Sequence, residues 1–295
     1  VNTLSREDRW LAGWLLAALL TAAVLLAVNS LRFHYTGISY FPRECWWLAF
    51  VALDFAVFGH LVREKSPYAS FVAMNLAFYA LTAAVMGVLT TAIQYSPFAR
   101  IDPALARWDA GLGWNTVAVL RWVAERPALR GFLTLCYNST EMQLVLAPFV
   151  AAIAHDRRRL RVLIYGTVYS SIAGSLIYYF FPSSGPAGVF QSNDFLSVQL
   201  LTHLKFEQVH NFQPVTSLLG GLIAFPSFHV CWSVLATYAA LPKKNLFWIV
   251  ATLNVIVISS TILLGWHYLV DVPAGIVLAL SCLYLGELTH RRLSQ

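Results

Sequence analysis

Two histidines and an aspartate near the C-terminus stand in spacings suited to phosphoryl chemistry. His267 and Asp271 are four residues apart in Gly265-Trp266-His267-Tyr268-Leu269-Val270-Asp271, so on a helix they share a face. A carboxylate there accepts a hydrogen bond from one imidazole nitrogen. It thereby fixes the tautomer and leaves the other nitrogen as an aimed nucleophile or base. The same support operates where an Asp backs the histidine of a serine hydrolase. His229 closes the fragment Phe225-Pro226-Ser227-Phe228-His229. Proline is favoured at a first helical position, and the amides after it point towards a potential anion, aided by the helix dipole. Ser227 adds a hydroxyl donor, and His229, one turn inside, is placed to protonate a leaving oxygen. Each motif alone also reads as structure, a His-Asp pair near an interface or a helix cap with a core histidine. Together they point to an enzyme.

The elements between the motifs can bring them together. One helix descends from His229 to a turn at Pro242-Lys243-Lys244-Asn245, and a second ascends to His267. About 19 helical residues rise roughly 28 Å, which returns the chain to the level it left. Neighbours joined by a short connection pack side by side, so the two imidazoles can flank one phosphate.

The rest of the chain supplies the frame. Of 295 residues, 58% are hydrophobic and only 12% charged, against about 25% charged in an ordinary soluble domain. Mean hydropathy is +0.63. Apolar runs near the ~20 residues needed to cross a hydrocarbon core recur over 10–31, 45–62, 68–93, 134–154, 162–181, 224–241, 246–264 and 268–288. The expected fold is all-α, a polytopic transmembrane bundle of about eight spans. Its runs are continuous rather than alternating, which excludes a membrane barrel. Arg157-Arg158-Arg159-Leu160-Arg161 and Lys243-Lys244 lie in short loops, where basic residues orient helices towards the cytoplasm. That puts both termini inside and both histidine motifs outside. The apolar stretch Trp10 to Val28 exceeds a usual signal-peptide core and reads as a helix of the bundle. The net charge of +6 belongs to these loops, not to a nucleic-acid surface.

Two outer segments break the pattern. Residues 95–133 hold Trp108, Trp114 and Trp122 among scattered arginines, as in a helix lying at the interface or an aromatic belt. Residues 182–223 form a long extracytoplasmic loop carrying His203, Lys205, Glu207 and His210. Such loops are commonly functional, and this one is placed to act as a lid or acceptor pocket. The division expected is 1–133, N-terminal membrane helices plus the interfacial segment, and 134–295, the catalytic helical core. Cys45, Cys136, Cys231 and Cys282 share no close spacing and read as buried apolar residues.

At these residues the chain resembles the type 2 phosphatidic acid phosphatase superfamily, whose signatures are K-x6-R-P, P-S-x-H and S-R-x5-H-x3-D. The second is present as Pro226, Ser227 and His229, and the third in part as Ser260, Thr261, His267 and Asp271. Thr261 stands where the phosphate-binding arginine belongs. The counterpart of the first, Phe181-Pro182-Ser183-Ser184-Gly185-Pro186, has neither the arginine nor the upstream lysine. With the H-Y-x-x-D spelling of His267, Tyr268 and Asp271, the chain is similar to the subgroup of inositol phosphorylceramide synthase, which transfers a phosphoalcohol between lipids. The resemblance covers roughly residues 134–288. It implies that His267 attacks phosphorus to give a phosphohistidine, that Asp271 orients it and that His229 protonates the leaving group. Ser227, Lys205 and Tyr268 are then the expected phosphate-binding residues, with Lys205 and Arg130 as candidates for the missing cation.

The function expected is an integral membrane lipid phosphotransferase or phosphatase, acting outside the cytoplasm on a lipid or lipid-linked phosphate. It calls for no metal and no cofactor, and its partners are that substrate and the membrane. A metalloenzyme using His229, His267 and Asp271 as ligands with an open position is a second class, unsupported by any H-E-x-x-H. A transporter lined by the same residues is a third, and no repeated halves are evident for it. Ser227 lacks the glycine-serine-glycine setting of a rhomboid-like protease. The Ala/Leu/Arg-rich, lysine-poor composition fits a bacterial inner membrane.

Overall fold

Each apolar run becomes a helix because, away from water, a backbone must satisfy its own polar groups. The computed structural model describes residues 4–36, 44–217, 219–221 and 223–295. Among them it contains α1 (Arg6–Phe33), α2 (Glu44–Leu61), α3 (Pro67–Ala92), α4 (Asp102–Gly111), α5 (Thr116–Ala124), α6 (Pro127–Ile153) and α7 (Arg157–Phe180). A 3₁₀ turn at Pro186–Gly188 is followed by α8 (Ser197–His210), α9 (Phe228–Ala240), α10 (Lys244–Leu263) and α11 (Asp271–Leu293). Helix starts follow the expected chemistry. Ser5 and Asp8 form a reciprocal capping box on α1, and Asn115 and Asp156 cap α5 and α7.

Helices α1, α3, α7, α10 and α11 are long and apolar enough to cross a membrane, while Cys45–Leu61 and Phe228–Ala240 are shorter apolar helices. This is the fold of an integral membrane protein. Helix α9 differs from its expected range, 224–241, because Pro226 and Ser227 lie outside it and Ser227 is its N-cap. Its 13 residues span only about 20 Å, less than a hydrocarbon core of about 30 Å. Residues 95–133 hold the two short helices α4 and α5 and the beginning of α6. The segment 182–223 is not an open loop, since α8 packs within it.

The centre is α7, most of whose apolar length is buried, whereas α1 and α10 are largely exposed along theirs. Its Leu160, Leu163, Ile164, Tyr165 and Val168 meet residues of α1, α9 and α11 in one core. The four cysteines are buried and unbridged. At one end of the bundle Arg161 pairs with Asp8 at 2.9 Å, and His290 Nδ1 lies 2.7 Å from Glu7. The beginnings of α1 and α7 and the end of α11 therefore meet there. The other end carries both histidine motifs.

Candidate active site

The geometry begins with how α10 ends. The carbonyl of Thr261 accepts hydrogen bonds from the amides of both Trp266 and His267 at 3.0 Å. Gly265 makes the turn with φ +72°, a conformation that costs glycine little. A Cβ there would stand 2.8 Å from Leu120 of α5. His267 thus lies in the turn before α11, not on the helix, and helical spacing is not what pairs it with Asp271. Instead Asp271, the first residue of α11, reaches back: its Oδ2 accepts from the Tyr268 amide at 2.9 Å and from His267 Nδ1 at 3.2 Å.

A shorter bond fixes the ring. His267 Nδ1 also donates to the carbonyl of Ala224 at 2.8 Å. A carbonyl oxygen only accepts, so Nδ1 carries the proton, and in the neutral ring Nε2 holds the lone pair. His267 is buried and Asp271 fully so.

His229 faces this ring from the first turn of α9, with ring centroids 6.1 Å apart. Its own ring stacks on Tyr137 of α6 at 4.1 Å, and the Tyr137 hydroxyl lies 3.3 Å from His229 Nδ1. Trp266 stacks on Tyr137 as well. Pro226 stands two residues before Phe228, the first residue of α9, and not at the expected first helical position, and Ser227 Oγ accepts from the Val230 amide at 3.3 Å. Ser227 thus caps α9. Gly275 of α11 permits the close approach that holds the motifs together: a Cβ there would lie 2.6 Å from the Ser227 carbonyl. His229 and His267 line one cleft with Tyr137, Ser184, Gly185, Gln199 and Trp266. Its cavity volume is about 60 Å³.

The sequence profile of the PAP2 superfamily matches residues 103–285. The chain belongs to the PAP2 superfamily. That makes it a membrane-embedded enzyme of the phosphatase type, acting on lipid phosphates. No curated protein and no solved structure matches the chain significantly.

Within this PAP2 cleft the other expected residues take different places. Lys205, on α8, is buried and donates from Nζ to the carbonyls of Leu219 and Gly220, at 2.9 and 2.5 Å. Burial lowers its ammonium to about 8. It does not line the cleft but holds the strand of chain leading to Gly221 and Ile223, which do. Tyr268 is fully buried and its hydroxyl donates to Asp102 at 3.1 Å. Burial, and then the Asp102 charge, push that hydroxyl up, so it stays protonated and donating. Arg130 donates to the Asp194 carbonyl at 2.7 Å, and Arg100 pairs with Glu207. Thr261, in the signature arginine's place, donates to the Ile258 carbonyl of its own helix at 2.7 Å.

Among the described residues that line the cleft there is therefore no Lys or Arg. Two neutral donors are buried there without a partner, Ser184 Oγ and Trp266 Nε1. Nor do the described residues offer a group of three metal-ligating side chains. Asp271 lies behind His267, so the expected three-ligand alternative does not converge on one point.

Several site residues escape sequence reasoning. Tyr137 sits in an apolar helix that gives no local signal. Trp266 adjoins the motif but carries no signal of its own. Gln199 of α8 donates to the Leu264 carbonyl at 2.8 Å and so fixes the end of α10. Asp102 and Asp109 stand one above the other on α4, seven residues apart. Two acids seven residues apart in a largely basic stretch are the signal available in the sequence.

Proposed function

We propose that this PAP2 enzyme is a lipid phosphotransferase of the inositol phosphorylceramide synthase type. It moves a phosphoryl or phosphoalcohol group between lipid-linked substrates through a phosphohistidine at His267. The observation that carries the reading is the bond from His267 Nδ1 to the Ala224 carbonyl. It aims the lone pair of Nε2 away from Asp271, into the cleft that His229 shares.

The steps balance on these two rings. His267 Nε2 attacks phosphorus as the bond to the leaving alkoxide breaks, and protonated His229 gives its proton to that oxygen. Asp271 stabilises the positive charge that develops on the His267 ring. The acceptor hydroxyl then attacks phosphorus, passes its proton to His229, and His267 leaves unchanged. Phosphoryl transfer depends mainly on positioning and on charge stabilisation. A cleft lined by no lysine or arginine offers little to balance a second negative charge, which favours a monoanionic phosphodiester donor over a dianionic monoester.

The site opens at the end of the bundle away from Arg157, Arg158, Arg159, Lys243, Lys244, Arg291 and Arg292. By the positive-inside rule that end faces outside the cytoplasm and both termini face in, as in a bacterial inner membrane. The test supplies detergent-purified enzyme with a mixed lipid extract, with and without chelator, beside His267→Ala. Products are followed by mass spectrometry and free phosphate assay. A new phospho-headgroup lipid, absent with His267→Ala and insensitive to chelator, is the expected result. Release of free phosphate without a new lipid would make the enzyme a phosphatase. Equal turnover by His267→Ala would overturn the mechanism.

A further inference from the structure

A single carboxylate outside the histidine motifs joins the two walls of the cleft. Asp102 opens α4, one residue before the family match begins, and is 1% exposed. Its Oδ1 accepts from Ser183 Oγ at 2.8 Å, the Gly185 amide at 3.0 Å and the Tyr268 hydroxyl at 3.1 Å. Its Oδ2 accepts from the Ser184 amide at 3.1 Å. The Ile101 amide adds a bond to the Pro182 carbonyl at 3.0 Å. Ser184 and Gly185 line one wall of the cleft, and Tyr268 is the residue after His267. Gly185, at φ +83°, passes so close to the other wall that a Cβ would stand 2.9 Å from the Trp266 carbonyl.

Two helical turns further on, Asp109 makes the second anchor. Its two oxygens lie 3.1 and 3.0 Å from the Leu269 amide, which donates to them. Burial pushes both carboxyls up, and the amides and hydroxyls aimed at them pull them back. Helix α4 thus holds the peptide after His267 at two successive residues, by the side chain of Tyr268 and the backbone of Leu269. Its outer face carries the exposed Trp108, consistent with a helix anchored at the membrane surface.

We propose that Asp102 is a positioning residue that sets the width of the cleft and the aim of His267. It holds the Ser183–Gly185 strap on one side and Tyr268 on the other. Neither bond touches substrate. The two arms act on different quantities, given the phosphotransfer reading above. Tyr268 governs where the nucleophile points, hence kcat. The strap governs the wall that receives the headgroup, hence KM. A 1 Å misplacement of a reacting group can reduce a rate about a hundredfold.

The test separates the arms. Tyr268→Phe removes one bond to Asp102 and should lower kcat about 10-fold with KM unchanged. Ser183→Ala removes another and should raise KM about 5-fold with kcat unchanged. Asp102→Asn should move both. Its effect on kcat should be less than additive with Tyr268→Phe in the double variant, since the two share one path. General loosening of the fold would shift both parameters in parallel in all three variants, and that pattern overturns the proposal. So does wild-type kcat in Tyr268→Phe.

A readout independent of turnover keeps this distinct from the phosphotransfer reading. Carbethoxylation of His267 by diethyl pyrocarbonate, followed by peptide mass spectrometry, should quicken several-fold in Tyr268→Phe and stay at the wild-type rate in Ser183→Ala. If the wild type turns over no lipid yet this contrast appears, the substrate reading fails and Asp102 keeps its role. Equal labelling rates in the two variants overturn the role itself.

Discussion

Replacing Asp271 by Asn should lower kcat roughly 5- to 30-fold, far less than the same exchange costs a serine-hydrolase triad. In such a triad the carboxylate alone fixes the histidine tautomer, and the amide installs the wrong one at a cost of about four orders of magnitude. Here the Ala224 carbonyl, at 2.8 Å, is the nearer acceptor of the His267 Nδ1 proton. It cannot donate, so the tautomer survives the exchange. Both bonds to Asp271 fall on one oxygen, Oδ2, while Oδ1 is buried without a partner. An Asn can therefore place its oxygen where Oδ2 stands and its amide where Oδ1 stood, keeping both contacts and losing only the charge. A hydrogen bond to a charged group contributes about 1.5–3 kcal/mol and a neutral one about 0.5–1.5 kcal/mol. The difference, about 1–2 kcal/mol, corresponds to the stated factor in rate. The assay is single-turnover formation of phosphoenzyme and lipid product by detergent-purified protein, beside His267→Ala as the zero. A loss as deep as that of His267→Ala would refute the argument, because it would show that the carbonyl does not hold the tautomer.

Three further outcomes follow from the geometry. Tyr137→Phe keeps the stack on His229 but removes the hydroxyl 3.3 Å from Nδ1; one neutral hydrogen bond of about 0.5–1.5 kcal/mol predicts a roughly 2- to 10-fold lower kcat, and an unchanged kcat would exclude that contact from catalysis. Gly275→Ala drives a methyl into the Ser227 carbonyl and Val230 Cβ, at 2.6 and 2.9 Å; overpacking costs about 1–3 kcal/mol, so the thermal midpoint in detergent should fall together with activity. Lys205→Met frees the chain at Leu219 and Gly220 and should raise KM several-fold with kcat within about 3-fold; a collapse of kcat instead would place the ammonium on the phosphate.

Much of the frame was legible because long apolar runs leave the backbone one solution, and helices stand at each of the eight segments the sequence marks. The start of α9 was legible to within two residues of Pro226, since a serine before an apolar run can cap a helix. Less legible was the stretch 182–223. Its helix α8 buries the polar Gln199, Thr202, Lys205 and Gln208, which leave no periodic apolar trace, and Gln199 finds its partner 65 residues away at the Leu264 carbonyl. The pairing of His267 with Asp271 was read correctly from a wrong local geometry. Four residues bring side chains together on a helix, but here a glycine turn and the capping reach of Asp271 do so.

By itself, the sequence determined a membrane-embedded helical bundle, two histidine motifs at one end of it, and the absence of the signature arginines. Those are properties of residue type and spacing, and they persist whatever packs against them. Only the tertiary structure decided which nitrogen of His267 carries the proton, because the Ala224 carbonyl arrives from 43 residues away. It also turned Lys205 and Tyr268 into supports, and it brought Asp102 and Asp109 of α4 onto the turn that follows His267. Such contacts join segments far apart in the chain, and hydrogen-bond partners at that range are chosen by packing, not by local sequence.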